Sequence, residues 1–334
     1  MLLIGLGKTK QINDMNKINL LDCTLRDGGF VNDWQFGTEH ANSIVQSISE
    51  TGMDYVEIGF LRNEANIDGR MVFNTIDAAS ATILKSKAKR GIMLELSAKY
   101  PLDKIPDRKE DSIEMIRVMI WKTLLKEGLD YCKALIDKGY EVGVQAIRTD
   151  DYTEDEFKHF VDTYNEINPL DIYVVDSFGV MHKEQILNYA TIADEYLREG
   201  ILLGYHAHNN MQQAYINAVS FLEREWKHPL MLDASVLGMG RGAGNLNTEL
   251  LLHYLNTHGS NYNLVPVIEI ANRYIKQFWA ILLILFPIAL IFSEGTAANL
   301  QNVAVIFGFP GAILVSLVVI AFFKDAGKYL QDDK

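Results

Sequence analysis

Cysteine is nearly missing from this chain of 334 residues: Cys23 and Cys132 are the whole supply, and neither sits in a C-x-x-C pair. That excludes a disulfide framework and leaves a reducing compartment with buried thiols as the expectation. Positive charge is also in deficit, with 31 Lys and Arg against 43 Asp and Glu and a formal net charge of -12. Nucleic-acid binding needs a concentrated basic face, and none is found, so that class of partner is excluded. Internal repeats and low-complexity segments are lacking as well. The N-terminus meets its first charge at Lys8 with no cleavage-site pattern after a long apolar core, so residues 1–17 read as a tail and not as a signal peptide. What is abundant is apolar surface. A hydrophobic content of 49% over this length suits one large domain or two modest ones.

Apolar runs of strand character fall near 18–24, 54–61, 90–96, 114–121, 140–147, 171–177, 202–208 and 230–237. Between them lie segments with apolar residues every three or four positions, such as 154–167 and 184–197, which predict helices. Short strands alternating with helices mean parallel βαβ units. Eight units in about 250 residues predict a (β/α)8 TIM barrel with its active site at the carboxyl ends of the strands. Residues 97–112 break the rhythm, because Pro101, Pro106 and dense charge leave room for only a short or broken helix. Both a lid over the site and a plain solvated connection fit that stretch.

Two motifs at predicted strand ends carry the chemistry: Leu21-Asp22-Cys23-Thr24-Leu25-Arg26-Asp27-Gly28-Gly29 and Gly204-Tyr205-His206-Ala207-His208-Asn209-Asn210. Side chains two apart on a strand share a face, so His206 and His208 can meet one ion, with Asp27 as the anionic oxygen. Taken singly, Asp27 suits a turn, Asn245 a helix cap and His206 a packed core. As a set at strand ends they read as a divalent-metal site. Two imidazoles, a carboxylate and an amide suit Mn2+ or Mg2+, with Zn2+ or Co2+ as alternatives, acting as a Lewis acid.

Thr24-Leu25-Arg26-Asp27-Gly28, Glu57 within Val56-Glu57-Ile58-Gly59-Phe60, His206-Ala207-His208-Asn209-Asn210 and Gly238-Met239-Gly240-Arg241-Gly242-Ala243-Gly244-Asn245 together resemble the DRE-TIM metallolyases. That family includes hydroxymethylglutaryl-CoA lyase, 4-hydroxy-2-oxovalerate aldolase and isopropylmalate synthase. The resemblance covers about residues 18–277 and implies a TIM barrel that cleaves or forms carbon–carbon bonds through a metal-stabilised enolate. Carried over by position, it makes Asp27, His206 and His208 metal ligands, with Asn245 a fourth ligand or a near neighbour. It makes Arg26, Asp27 and Glu57 the catalytic set, Glu57 either orienting Arg26 or assisting proton transfer. Arg26, Arg241, Gly240 and Gly242 would contact a small oxo-acid substrate. Departures limit the reading. Aldolases of the family keep a histidine just after the Arg-Asp-Gly turn where this chain has Gly29-Phe30, and the lyases keep a cysteine in the loop that here holds Met239 and Arg241. Cys23, Tyr205, Lys122 and His182 are the remaining candidates for proton transfer. Trp121, Gln145, Asp176 and Ser177, at other strand ends, are candidates for specificity, and Asp176 for holding a metal histidine. A Claisen-type acyltransferase using an acyl-CoA is the alternative activity, and an inactive barrel on a membrane protein the alternative class.

The C-terminal stretch is of another kind. From residue 278 to 323 the only charge is Glu294, and two apolar runs flank Ser293-Glu294-Gly295-Thr296-Ala297-Ala298-Asn299-Leu300-Gln301. They predict a transmembrane helical hairpin in a two-helix segment over 278–334, and Lys276, Lys324 and Lys328 place both ends in the cytoplasm. The barrel would then be cytoplasmic and tethered to the inner face of the membrane through 278–323. Gly295-Thr296-Ala297-Ala298-Asn299-Leu300-Gln301-Asn302 with Phe307-Gly308-Phe309-Pro310 resembles the last two helices of the betaine/choline/carnitine transporters. Two helices make no substrate pathway, so the segment reads as an anchor or as a chimeric junction near 277–280. Homo-oligomerisation is left open.

Overall fold

Among the described residues, apolar runs separated by turns become nine strands: β1 (Ile18–Asp22), β2 (Tyr55–Leu61), β3 (Val72–Phe73), β4 (Lys89–Glu95), β5 (Met115–Ile120), β6 (Glu141–Ala146), β7 (Asp171–Asp176), β8 (Leu202–Ala207) and β9 (Leu230–Ala234). The computed structural model describes residues 17–275. Eight strands follow one another in the order β1, β9, β8, β7, β6, β5, β4, β2, and a β1–β2 pairing closes the ring. All ladders between strands are parallel, so the predicted (β/α)8 barrel is observed. The two-residue β3 adds to β2 outside the ring and has no counterpart among the eight predicted runs. It is too short to carry a period.

The helices are α1 (Thr38–Thr51), α2 (Ile76–Thr82), α3 (Leu125–Asp137), α4 (Glu154–Asn165), α5 (Lys183–Tyr196), α6 (Ala214–Leu222), α7 (Thr248–Thr257) and α8 (Val265–Ile270). The start of α4 is set by a capping box: the Glu156 N–H donates to Thr153 Oγ1 at 3.2 Å, and the Thr153 N–H donates back to Glu156 Oε2 at 2.8 Å. Helix α5 begins one residue earlier than predicted, because His182 donates its backbone N–H to Gln185 Oε1 at 3.0 Å.

Inside the ring, side chains of one parity form layers. The lower part is apolar, with Leu21, Tyr55, Met115, Leu202 and Met231 in one buried cluster. Above it the filling turns ionic: Glu57, Arg117 and Asp233 are all buried beside Tyr173. Strand β2 carries a register irregularity between Glu57 and Phe60. One extra residue there lets both point inward, which a period of two forbids. Gly59 makes the bulge, with φ of 143° and Met71 O at 2.0 Å from where a Cβ would stand.

Residues 97–112 form two short 3-10 turns and pin down outside the cavity: Tyr100 Oη donates to Asn74 O at 2.6 Å and Tyr140 Oη to Pro106 O at 3.0 Å. None of them lines the cavity described below. The predicted hairpin over 278–323, the transporter-like motif and the domain edge at 277 lie outside the described residues. Among the described residues no helix is long and apolar enough to cross a membrane.

Candidate active site

A cavity of about 120 Å3 opens where the strands end at their carboxyl termini. The turn after β1 delivers Arg26 and Asp27, β8 and its extension deliver His206 and His208, and the loop after β9 delivers Arg241. Phe30, Phe60, Met93, Met119 and Trp121 build an apolar wall, and Gln145, Arg148, Val175 and Ser177 line the remainder.

The turn after β1 is held rigidly. The Asp27 N–H donates to Cys23 O at 2.8 Å, and Trp34 Nε1 donates to Arg26 O at 2.6 Å. Arg26 is buried, with Nε on Glu57 Oε2 at 2.6 Å and Nη1 at 3.1 Å from Asp27 Oδ1. Around Asp27 Oδ2 gather Asn245 Nδ2 at 2.6 Å, His206 Nε2 at 3.3 Å and His208 Nε2 at 3.8 Å. The four residues expected as metal ligands therefore converge on one point.

Electrostatics keep the cluster's charge in place. Burial raises the Asp27 pKa, but the Arg26 guanidinium and the two imidazoles outweigh it and hold the carboxyl well below the usual range. Burial lowers His208 to about 4, so it is neutral at pH 7. For His206 burial is outweighed by hydrogen bonds to Asp233 and Asp27, and its pKa is raised.

The orphaned atoms test whether a cation fits. Asp27 Oδ1 and Asn245 Oδ1 are buried and have no hydrogen-bond partner among the described residues. Asn245 Oδ1 is unused and Asp27 Oδ1 has only the Arg26 guanidinium at 3.1 Å, and beside two imidazoles these oxygens suit a hard or borderline divalent ion. Cys23 Sγ lies within 4.8 Å of donor atoms of Asp27 and His206. Burial pushes its thiol pKa far up, and Sγ donates to Ala234 O at 3.3 Å, so this sulfur is held as a neutral thiol and His208 is the better donor.

The partner of the metal-side histidine differs from expectation. Asp176 accepts from the N–H groups of Val180 at 3.0 Å and Met181 at 3.2 Å, closing its own turn. His206 Nδ1 instead meets Asp233 Oδ2 at 2.8 Å. Asp233 is fixed by Arg117 Nη2 at 2.5 Å and by the Tyr173 hydroxyl at 2.6 Å, while Arg117 Nη1 reaches Glu57 Oε2 at 3.1 Å. Burial would raise Asp233, but Arg117 and His206 bring it down to about 2. A chain of charge thus runs from His206 through Asp233, Arg117 and Glu57 to Arg26. Sequence reading missed Asp233, Arg117 and Tyr173. Their signal was a polar residue of inward parity in each of three apolar strands.

Of the remaining candidates, Gly240 packs against Asn245 and Gly242 against Asn210, and neither lines the cavity. Added Cβ atoms would meet Asn245 Oδ1 at 2.6 Å and Asn210 Oδ1 at 2.5 Å, so these glycines let the loop close on the two asparagines. Lys122 pairs with Glu156 at 3.2 Å, His182 contacts Gln213 at 3.2 Å, and Tyr205 is buried against Phe221; none of the three lines the cavity.

The HMGL-like family pattern matches residues 17–272. The chain belongs to the HMGL-like family. Among its relatives are an oxaloacetate decarboxylase of Mycobacterium tuberculosis, 24% identical over 246 residues that cover 72% of this chain and 70% of the relative. A 4-hydroxy-2-oxovalerate aldolase of Bacillus cereus is 22% identical over 250 residues, covering 74% and 72%. A crystal structure of the N-terminal domain of a Bacteroides vulgatus protein assigned as an aldolase superposes with a TM-score of 0.64 at 27% identity, covering 79% of this chain and 87% of that one. The HMG-CoA lyase of Bacillus subtilis shares the fold, with a TM-score of 0.62 at 16% identity and coverage of 79% and 94%.

Proposed function

We propose that this chain is a divalent-metal-dependent carbon–carbon lyase, an aldolase acting on a small 2-oxo or hydroxy acid. The observation that carries the reading is the convergence of His206, His208 and Asn245 on Asp27 beside a buried arginine, with Asp27, both histidines and the arginine lining one cavity. Family membership supports it, and so do relatives named as an oxaloacetate decarboxylase and as aldolases.

Asp27, His206, His208 and Asn245 would hold the ion, Mn2+ or Mg2+ before Zn2+ or Co2+. Bound there, it supplies Lewis-acid polarisation of the substrate's oxo group. Arg26 adds a fixed positive charge at the oxygen where negative charge develops when the carbon–carbon bond breaks. Glu57 keeps that guanidinium in position through Nε, so no reorganisation is needed during the reaction. Asp233 accepts from His206 Nδ1 and leaves Nε2 facing Asp27. Phe30, Phe60, Met93 and Trp121 keep bulk water from the reacting atoms and strengthen each charge inside. Retro-aldol cleavage and decarboxylation of an oxo acid both leave an enolate, so one arrangement of cation and guanidinium serves both.

The test measures bound metal together with cleavage of a panel of 4-hydroxy-2-oxo acids and decarboxylation of oxaloacetate, in the wild type and in His206→Ala and His208→Ala. Cleavage dependent on added Mn2+ and lost in both variants is expected. Turnover that survives both substitutions contradicts the metal mechanism, and release of free CoA thiol from an acyl-CoA would instead indicate an acyltransferase. Attachment of the barrel to a membrane through residues 278–323 is a separate proposal; extraction of the full chain without detergent would refute it.

A further inference from the structure

The cavity carries orphaned atoms of two opposite kinds. Asn245 Oδ1 is an acceptor without a donor and Asp27 Oδ1 has only the Arg26 guanidinium at 3.1 Å, and both belong to the cluster proposed to hold a cation. Gln145 Nε2 and Arg148 Nε are donors without acceptors among the described residues, and both residues line the same cavity. Gln145 is 2% exposed, so its amide cannot turn to bulk water for a partner. A buried donor left unpaired is unfavourable, and a carboxylate, with two oxygens that accept charge-assisted hydrogen bonds, is a group that suits an amide and a guanidinium together.

The placement of these donors is built into the fold. Gln145 stands on β6, which lies four strands from β1 in either direction around the eight-stranded ring, diametrically across from the turn that bears Asp27. Arg148 follows with φ of 54°, a left-handed backbone that residues other than glycine rarely adopt. Its N–H donates to Ser177 Oγ at 2.8 Å, its guanidinium lies 5.0 Å from the Phe178 ring centre, and Nη2 meets Asp151 Oδ2 at 2.7 Å. Phe178 and Asp151 thus fix the planar group while Nε stays unused.

We propose that Gln145 and Arg148 form a carboxylate subsite across the cavity from the metal ligands, selecting oxo acids that bear a second carboxylate. The inference rests on the lyase reading for the cation at the opposite wall.

Succinate and butyrate have four carbons each and differ in one terminal carboxylate, so calorimetric titration of the full chain with each, with and without Mn2+, isolates the subsite. Succinate is expected to bind at least about 10-fold more tightly than butyrate, the scale of a charge-assisted hydrogen bond. Gln145→Leu and Arg148→Met should bring that ratio toward one. Gln145→Leu should fold with an unchanged or raised Tm, since it removes an unpaired buried donor. Gln145→Glu, equal in size to glutamine, should push succinate affinity below that of butyrate. A wild-type ratio near one, or a ratio unchanged in all three variants, overturns the subsite. A preserved ratio in a protein that binds no Mn2+ supports the subsite and counts against the metal reading.

Discussion

Two polar layers lie one above the other in the barrel and differ in what their charged groups face. In the lower one, Asp233 is fully used by Arg117, Tyr173 and His206, and the atoms left without partners, Glu57 Oε1 and Arg117 Nε, belong to side chains already held in ion pairs away from the cavity. In the upper one, Asn245 Oδ1, Gln145 Nε2 and Arg148 Nε are buried without hydrogen-bond partners among the described residues, and Asp27 Oδ1 has only the Arg26 guanidinium at 3.1 Å. Burying a polar atom without a partner costs about 1–3 kcal/mol, a cost that an occupant can relieve where the residue borders a cavity. The lower layer spends its charges on holding side chains in place. The upper layer keeps them for an occupant, acceptors toward a cation and donors toward an anion.

The sharpest way to break this contrast is to remove an upper-layer ligand. His206→Ala should abolish metal binding and lower cleavage activity by at least about 10³-fold, since metal polarisation is worth several kcal/mol. Steady-state kinetics with metal analysis checks both. Next comes the lower layer. Arg117→Met removes the guanidinium from Asp233 and leaves Glu57 with Arg26 alone, and should cost about 3–5 kcal/mol of stability in urea unfolding, because Asp233 is left as a buried charge without its arginine. Arg26→Lys keeps one positive charge but cannot match both Glu57 and Asp27, and kcat should fall about 10²-fold or more with metal affinity retained. Asp233→Asn should weaken Mn2+ binding by about 10–100-fold through the orientation of His206, with a smaller loss of kcat at saturating metal.

Last comes a change of slope. Asp22 is buried with three donors, the Thr24 N–H at 3.0 Å and the hydroxyls of Thr24 at 3.0 Å and Thr248 at 3.1 Å, but with no cation. Burial therefore wins and pushes its pKa up to about 7, whereas Asp233, paired with Arg117, sits at about 2. A raised folded-state pKa favours the fold fully below the unfolded value of about 3.9, and this contribution is lost as pH rises through 7. Asp22→Asn should flatten the fall in Tm between pH 4 and pH 8. An equally steep fall in the variant would assign the slope to other groups.

Much of the upper layer was legible in the sequence. Asp27, His206 and His208 stand at the ends of apolar runs, and strand periodicity with barrel topology is enough to bring them together. Asn245 was legible only through its motif, since no period links it to the others. The lower layer was hidden for a physical reason: Arg117, Asp233 and Tyr173 sit mid-strand, and their partners come from strands far away in sequence. A charged residue inside an apolar strand was the available sign. Arg148 escaped because its role depends on a left-handed backbone that composition does not announce, and β3 because two residues carry no pattern.

The account is tested most directly by counting Mn2+ bound per chain, with its affinity, in the wild type, His206→Ala and Arg26→Lys. One tight site in the wild type, lost in His206→Ala and kept in Arg26→Lys, is the predicted result. Equal stoichiometry and affinity in the wild type and His206→Ala would contradict it, because the orphaned acceptors of the upper layer would then have no cation to answer.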